Sequence, residues 1–181
     1  MTRMASASGD FELSMDELRA VARFAAGSAE EVLPAFEAVH PEDARPRKAI
    51  EAAWAFADGG RRMQLQRVAA LDAHRAAAAA ATEAARLAAR AAGDAAAAAY
   101  LHPLADATQI GHILRAAALA ARVAELTAAD DPRIGEESIE RARGRAGPVV
   151  VDVLKRYPLA PHGTNRVGVL MSRLDALLRQ A

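Results

Sequence analysis

The chain of 181 residues sets 23 lysines and arginines against 23 aspartates and glutamates and contains no cysteine. That length suits one domain whose core needs no disulfide or metal staple. The zero net charge excludes a general nucleic-acid binder, whose affinity rests on a basic surface, and the missing thiols exclude disulfides, thiolate metal sites and cysteine nucleophiles.

Alanine alone exceeds a quarter of the sequence, and it favours helix while removing little apolar area from water. The expected fold is all-α: a single-domain bundle of about seven to eight Ala-rich helices over 11–181, after a small, polar and disordered segment 1–10. Nothing in that segment resembles a signal peptide, and no run of ~20 strongly apolar residues suggests a membrane span. A cytoplasmic protein is expected, with no membrane or nucleic-acid partner. The sequence sets no oligomeric state.

The first helix starts after Ser14, an N-cap with Glu17 in capping-box register, and turns Leu18, Val21, Ala22 and Ala25 inward. Gly27-Ser28 reads as an interruption, with Ser28 capping a second helix that runs to about Val39 and carries Pro34 in its second turn. Asp43 is the expected cap of a third helix with Pro46 in its first turn. Its inward stripe is Ala49, Ile50, Ala53, Trp54 and Ala57, and Asp58-Gly59-Gly60 ends it. The fourth helix, about 62–79, is expected to turn Leu65, Val68, Leu71 and Ala78 to the core. A fifth spans about 81–101, because one rod over both would be about 57 Å long. Its Glu83, Arg86 and Arg90 fall on one face, read as solvated.

Pro103 separates a sixth helix, about 105–128, that is apolar on most sides and so expected at the centre. Thr108, Arg115 and Arg122 recur along it as a polar line. A short, charged and exposed helix is expected over 136–145. The segment 149–157 has Val-Val-Val strand propensity but is read as helix, since it has no strand to pair with. The last helix runs from about Arg166 to Arg179, with Val169, Leu170, Leu174 and Leu177 inward.

Three groups of residues could carry function. Glu37-x-x-His40 is half of a carboxylate-bridged di-iron motif, which needs two such pairs and two further glutamates; without them no metal is assigned. His74, His112 and Arg115 could line a small-molecule pocket, His112 and Arg115 being one turn apart and able to hold an anion or polarise a carbonyl. Arg45 and Arg47 flank Pro46 and, with Arg61 and Arg62, are candidate anchors for a partner; alternatively they bridge to the neighbouring helices. No phosphate loop, nucleotide-binding glycine pattern, nucleophile elbow or zinc-protease motif occurs. No catalytic residue and no cofactor is assigned, and a binding protein is favoured over an enzyme.

Read together, Glu31-Val32-Leu33-Pro34-x-Phe36-Glu37, His40-Pro41-Glu42-Asp43-x-Arg45-Pro46-Arg47-x-Ala49-Ile50-Glu51, Ala70-x-x-Ala73-His74-x-Ala76-Ala77 and Ala91-Ala92-Gly93 resemble the bacterial "putative immunity protein" family, small all-helical proteins frequent in actinobacteria. The resemblance covers roughly 16–125. It implies a non-enzymatic protein that neutralises a partner toxin by occluding it, and brings no catalytic residues. Two other readings stand beside it: a small-molecule binder or enzyme of a biosynthetic or resistance locus, built on His74, His112 and Arg115, and a scaffold that dimerises through its alanine faces.

Overall fold

A computed structural model describes residues 11–180, and their regular elements are all helical. The expectation for 1–10 lies outside the described residues. The helices are α1 (Met15–Glu30), α2 (Leu33–Glu37), α3 (Arg45–Ala57), α4 (Gln64–Ala78), α5 (Glu83–Ala97), α6 (Ile110–Thr127), α7 (Pro132–Arg145), α8 (Pro148–Lys155) and α9 (Arg166–Arg179), with 3-10 turns at Ala98–Tyr100 and Ala107–Gln109. Ser14 caps α1 in a full capping box, and Thr82 caps α5 by accepting the Ala85 N–H at 3.2 Å. The gap between α4 and α5 falls in the 79–82 break expected from length alone.

The α6 helix is the axis of the molecule. It packs against α1, α5, α7 and α9 and touches α8. Ile110, Ile113, Leu114, Leu119 and Val123 are all buried on it, against several faces at once. On α5, the alanines at 85, 88, 89, 91, 92, 95 and 96 have no solvent exposure. These small side chains let neighbouring helices approach closely. A Cβ added to Gly93 would lie 3.0 Å from the Ala70 carbonyl oxygen of α4 and 2.8 Å from the His74 ring.

Several local expectations are corrected. Gly27-Ser28 does not break α1, because Ser28 is fully buried and its hydroxyl donates to the Phe24 carbonyl one turn back, at 2.9 Å. The second helix is accordingly a short one, Leu33–Glu37, with Pro34 in its first turn. The α3 cap is Ala44, not Asp43; Asp43 accepts the Arg45 backbone N–H at 3.1 Å as an Asx turn. Trp54 is half-buried, with its indole N–H on Glu30 at 3.2 Å and the Arg23 guanidinium over its ring. The α7 helix starts at Pro132, capped by Asp131, and buries Gly135, Ser138, Ile139 and Ala142. On α9, Val169 faces solvent while Leu170, Leu174 and Leu177 face the core.

The largest correction concerns α4. Its buried stripe is Gln66, Ala69, Ala70, Ala73, Ala76 and Ala77, and the expected wall of Leu65, Val68, Leu71 and Ala78 is exposed. At 3.6 residues per turn the two sets occupy opposite sides, with Leu65, Val68 and Leu71 inside an arc of about 120°. The α4 helix sits at the edge of the bundle and packs chiefly on α3 and α5. Its alanines allow the close approach to α5, so its large apolar side chains are left outside.

Candidate functional site

The packed pair α3–α4 presents a shallow groove of about 430 Å³, lined by Arg45, Lys48, Leu65, Val68 and Asp72, together with Ala52, Ala55 and Ala69. Leu65 is 56% exposed and Leu71 52%, and Met63 and Val68 are exposed beside them. Leaving such side chains half in water forgoes roughly 1 kcal/mol apiece relative to burial. Folding of the isolated chain therefore explains why these positions face outward but not why they carry large apolar side chains, and an apolar patch with a polar rim is the usual mark of a binding surface.

The four arginines singled out in the sequence fall at the two ends of α3, and Arg45 alone of them lines the groove. Arg45 lines the groove at the start of α3, clamped by Asp43 through Nε at 2.9 Å and Nη2 at 2.6 Å. Asp43 is held below the usual carboxylate range by that guanidinium. Arg47 points the other way and makes a fork on Glu37 of α2, 2.7 Å to each oxygen. Arg61 and Arg62 occupy the turn at the far end, about 20 Å along α3 from Arg45; Arg61 is exposed. Arg62 reaches the Ala99 carbonyl at 3.4 Å and lies over the Tyr100 ring. The pairs are thus not one patch. Arg47 bridges helices, as the alternative sequence reading has it, while Arg45 stands on the groove's rim.

His74, His112 and Arg115 do converge, around a residue the sequence reading passed over. Asp94, 3% exposed in the last turn of α5, takes Nε of Arg115 at 2.7 Å and Nη2 at 3.0 Å, with His74 Nε2 at 3.6 Å. Gly111 leaves room for Arg115, whose Nη1 would lie 2.7 Å from a Cβ there. His112 hydrogen-bonds the Ala97 backbone, and its buried Nδ1 has no hydrogen-bond partner among the described residues. Burial lowers the pKa of both histidines; Asp94 partly offsets this at His74, and Arg115 adds to it at His112. Both imidazoles are therefore neutral at pH 7. The cluster ties α4, α5 and α6 together through a paired, hydrogen-bonded charge, the condition under which a buried carboxylate is tolerated. An aspartate within Ala91-Ala92-Gly93-Asp94-Ala95 is the sequence signal for it: such surroundings are buried, and a buried carboxylate needs a cation.

Glu37 and His40 are engaged separately, Glu37 by Arg47 and His40 by accepting the Ala81 N–H at 2.9 Å. Among the described residues no group of three or more His, Asp or Glu side chains could hold a metal ion, and no helix is long and apolar enough to cross a membrane.

The model of the Imm-5 like putative immunity protein family matches residues 12–145. The chain belongs to that family. The match begins just before the Ser14 cap and ends on the last residue of α7, so the Imm-5 like part contains the α3–α4 face and the Asp94 cluster, while α8 and α9 lie beyond it. No curated protein and no solved structure matches the chain.

Proposed function

We propose that this chain is an immunity-type binding protein that neutralises a partner toxin by covering it, and that the α3–α4 face is the surface that docks. The observation carrying this reading is the orientation of α4: alanines inward, Leu65, Val68 and Leu71 outward, beside Arg45 and Lys48. The family match supports a protein partner. Apolar anchors supply the desolvated centre of such an interface, and the rim arginine supplies orientation through carboxylates on the partner. Asp43 already holds Arg45 in one geometry, which reduces the entropy lost on docking.

The test is binding to the product of a neighbouring toxin gene, together with protection of cells expressing it. Changing Leu65 and Val68 to Asp together should weaken binding by at least about 100-fold, as expected when two hot-spot side chains are replaced by unpaired charges. Circular dichroism should be unchanged. Arg45→Glu should weaken binding less. Full binding by the double variant would defeat the proposed face.

A further inference from the structure

Two charged lines noted in the sequence meet in space. Glu83, Arg86 and Arg90 on α5 face Arg115 and Arg122 on α6, and the start of α9 closes the gap with Arg166, leaving a cavity of about 510 Å³. Five guanidiniums line it, and Glu83 is the one carboxylate among the lining residues. The volume lies in the ordinary range for small-ligand sites.

The arginines are held from behind. Asp94 grips Arg115 through Nε and Nη2. Glu125, fully buried, takes Arg166 through Nε at 2.9 Å and Nη2 at 2.6 Å, and Arg122 through Nη1 at 2.7 Å. Gly135 makes room for Glu125, since a Cβ there would fall 1.9 Å from Oε1. Each of these three guanidiniums keeps a nitrogen with no hydrogen-bond partner among the described residues: Nη1 of Arg115, Nη2 of Arg122 and Nη1 of Arg166. Arg86 forks onto Glu83, Arg122 also pairs with Asp130 and Arg166 with Glu136, so Arg90 alone among the five lacks a carboxylate among the described residues. Buried carboxylates that fix arginine side chains while leaving donors spare are the construction expected of an oxyanion site. Leu87, Val167 and Met171 add apolar wall on one side.

We propose that this cavity binds the phosphate group of a small organic phosphate. Donors arrive from three helices, matching the several oxygens of a phosphate dianion, and the apolar wall takes the body of the ligand. The site combines the Imm-5 like part with α9, which lies outside the family match. It stands apart from the α3–α4 face, so its failure leaves the docking proposal untouched.

The experiment is calorimetric titration of the full chain with inorganic phosphate and, separately, inorganic pyrophosphate, at an ionic strength held constant with chloride. Thermal melts in phosphate and in sulfate accompany it. Saturable one-to-one binding is expected, with a higher melting temperature in phosphate. Arg90 makes no hydrogen bond or ion pair among the described residues, so Arg90→Gln should leave the fold intact while affinity falls by about tenfold, the value of one charge-assisted hydrogen bond. The Arg86→Gln/Arg90→Gln double variant should lose binding, and Arg45→Gln should bind as the parent does. Absence of saturable binding by either anion overturns the proposal. So does binding retained in the double variant, or a melting shift that sulfate reproduces equally in parent and double variant, which would be a bulk salt effect.

Discussion

The α4 and α6 helices are built from similar residues and use them in opposite ways. On α6 the leucines and isoleucines face inward among four other helices; on α4 the alanines face inward and the leucines face water. Both arrangements satisfy helical periodicity. An amphipathic pattern says that a helix has two faces, and size alone does not say which face is the core. Position in the bundle decides: α6 is surrounded, whereas α4 lies at the edge and must come close to α5 to pack at all. The contrast separates residues that fold the chain from residues that folding leaves unexplained.

That contrast can be broken most directly at its strong end. Leu119→Ala on α6 should cost about 2–5 kcal/mol in denaturant unfolding, because Leu119 is fully buried. A cost below 1 kcal/mol would mean that α6 is not the core. Next comes the ion pair joining the two regions. Asp94→Ala leaves Arg115 without its partner, and the expected loss is about 2 kcal/mol, below the value for a fully buried pair because Arg115 is a third exposed. Gly93→Ala, which forces α4 from α5 at the Ala70 carbonyl, should cost about 1–3 kcal/mol; a neutral result would show that the close approach is not required.

Acidification sharpens the same boundary. His74 and His112 have folded-state pKa values pushed below the ordinary 6.5 by burial. The unfolded chain therefore takes up their protons first. Their contribution to stability is present above pH 6.5 and is lost as pH falls through the lowered values. Unfolding midpoints measured from pH 7.5 down to 5 should decline, and His112→Gln should flatten part of that decline. The smallest effect is expected on the outer face of α4, where Leu71→Ala should change stability by no more than about 0.5 kcal/mol.

Much of the fold is legible in the sequence because it is written in local chemistry. The Ser14–Glu17 box, the proline and glycine punctuation and the all-round apolarity of α6 each have a mechanism that acts within a few residues. The final helix is bounded as expected, from Arg166 to Arg179. What escaped depends on partners distant in sequence. Ser28 satisfies its hydroxyl within α1 instead of capping a new helix, and nothing local distinguishes the two. Glu83, Arg86 and Arg90 do face solvent, as their spacing implies, but that they form one wall of a cavity is not local information, since the facing wall on α9 begins 76 residues after Arg90. His74, His112 and Arg115 do come together, but around Asp94, whose significance lies in its buried setting. The arginines at 45, 47, 61 and 62 share a type but not a place: the length of α3 separates the two pairs, and Arg45 alone reaches the groove.

The central claim is that the outward face of α4 is a docking surface. Hydrogen exchange of the chain alone and mixed with the product of a neighbouring toxin gene, the proposed partner, tests it most directly. Occlusion through this face predicts added protection in the exposed half of the α3–α4 pair, over 45–55 and 63–72, with α7 and α8 unchanged. Protection confined to α7–α9, with α4 exchanging as in the free chain, would contradict it.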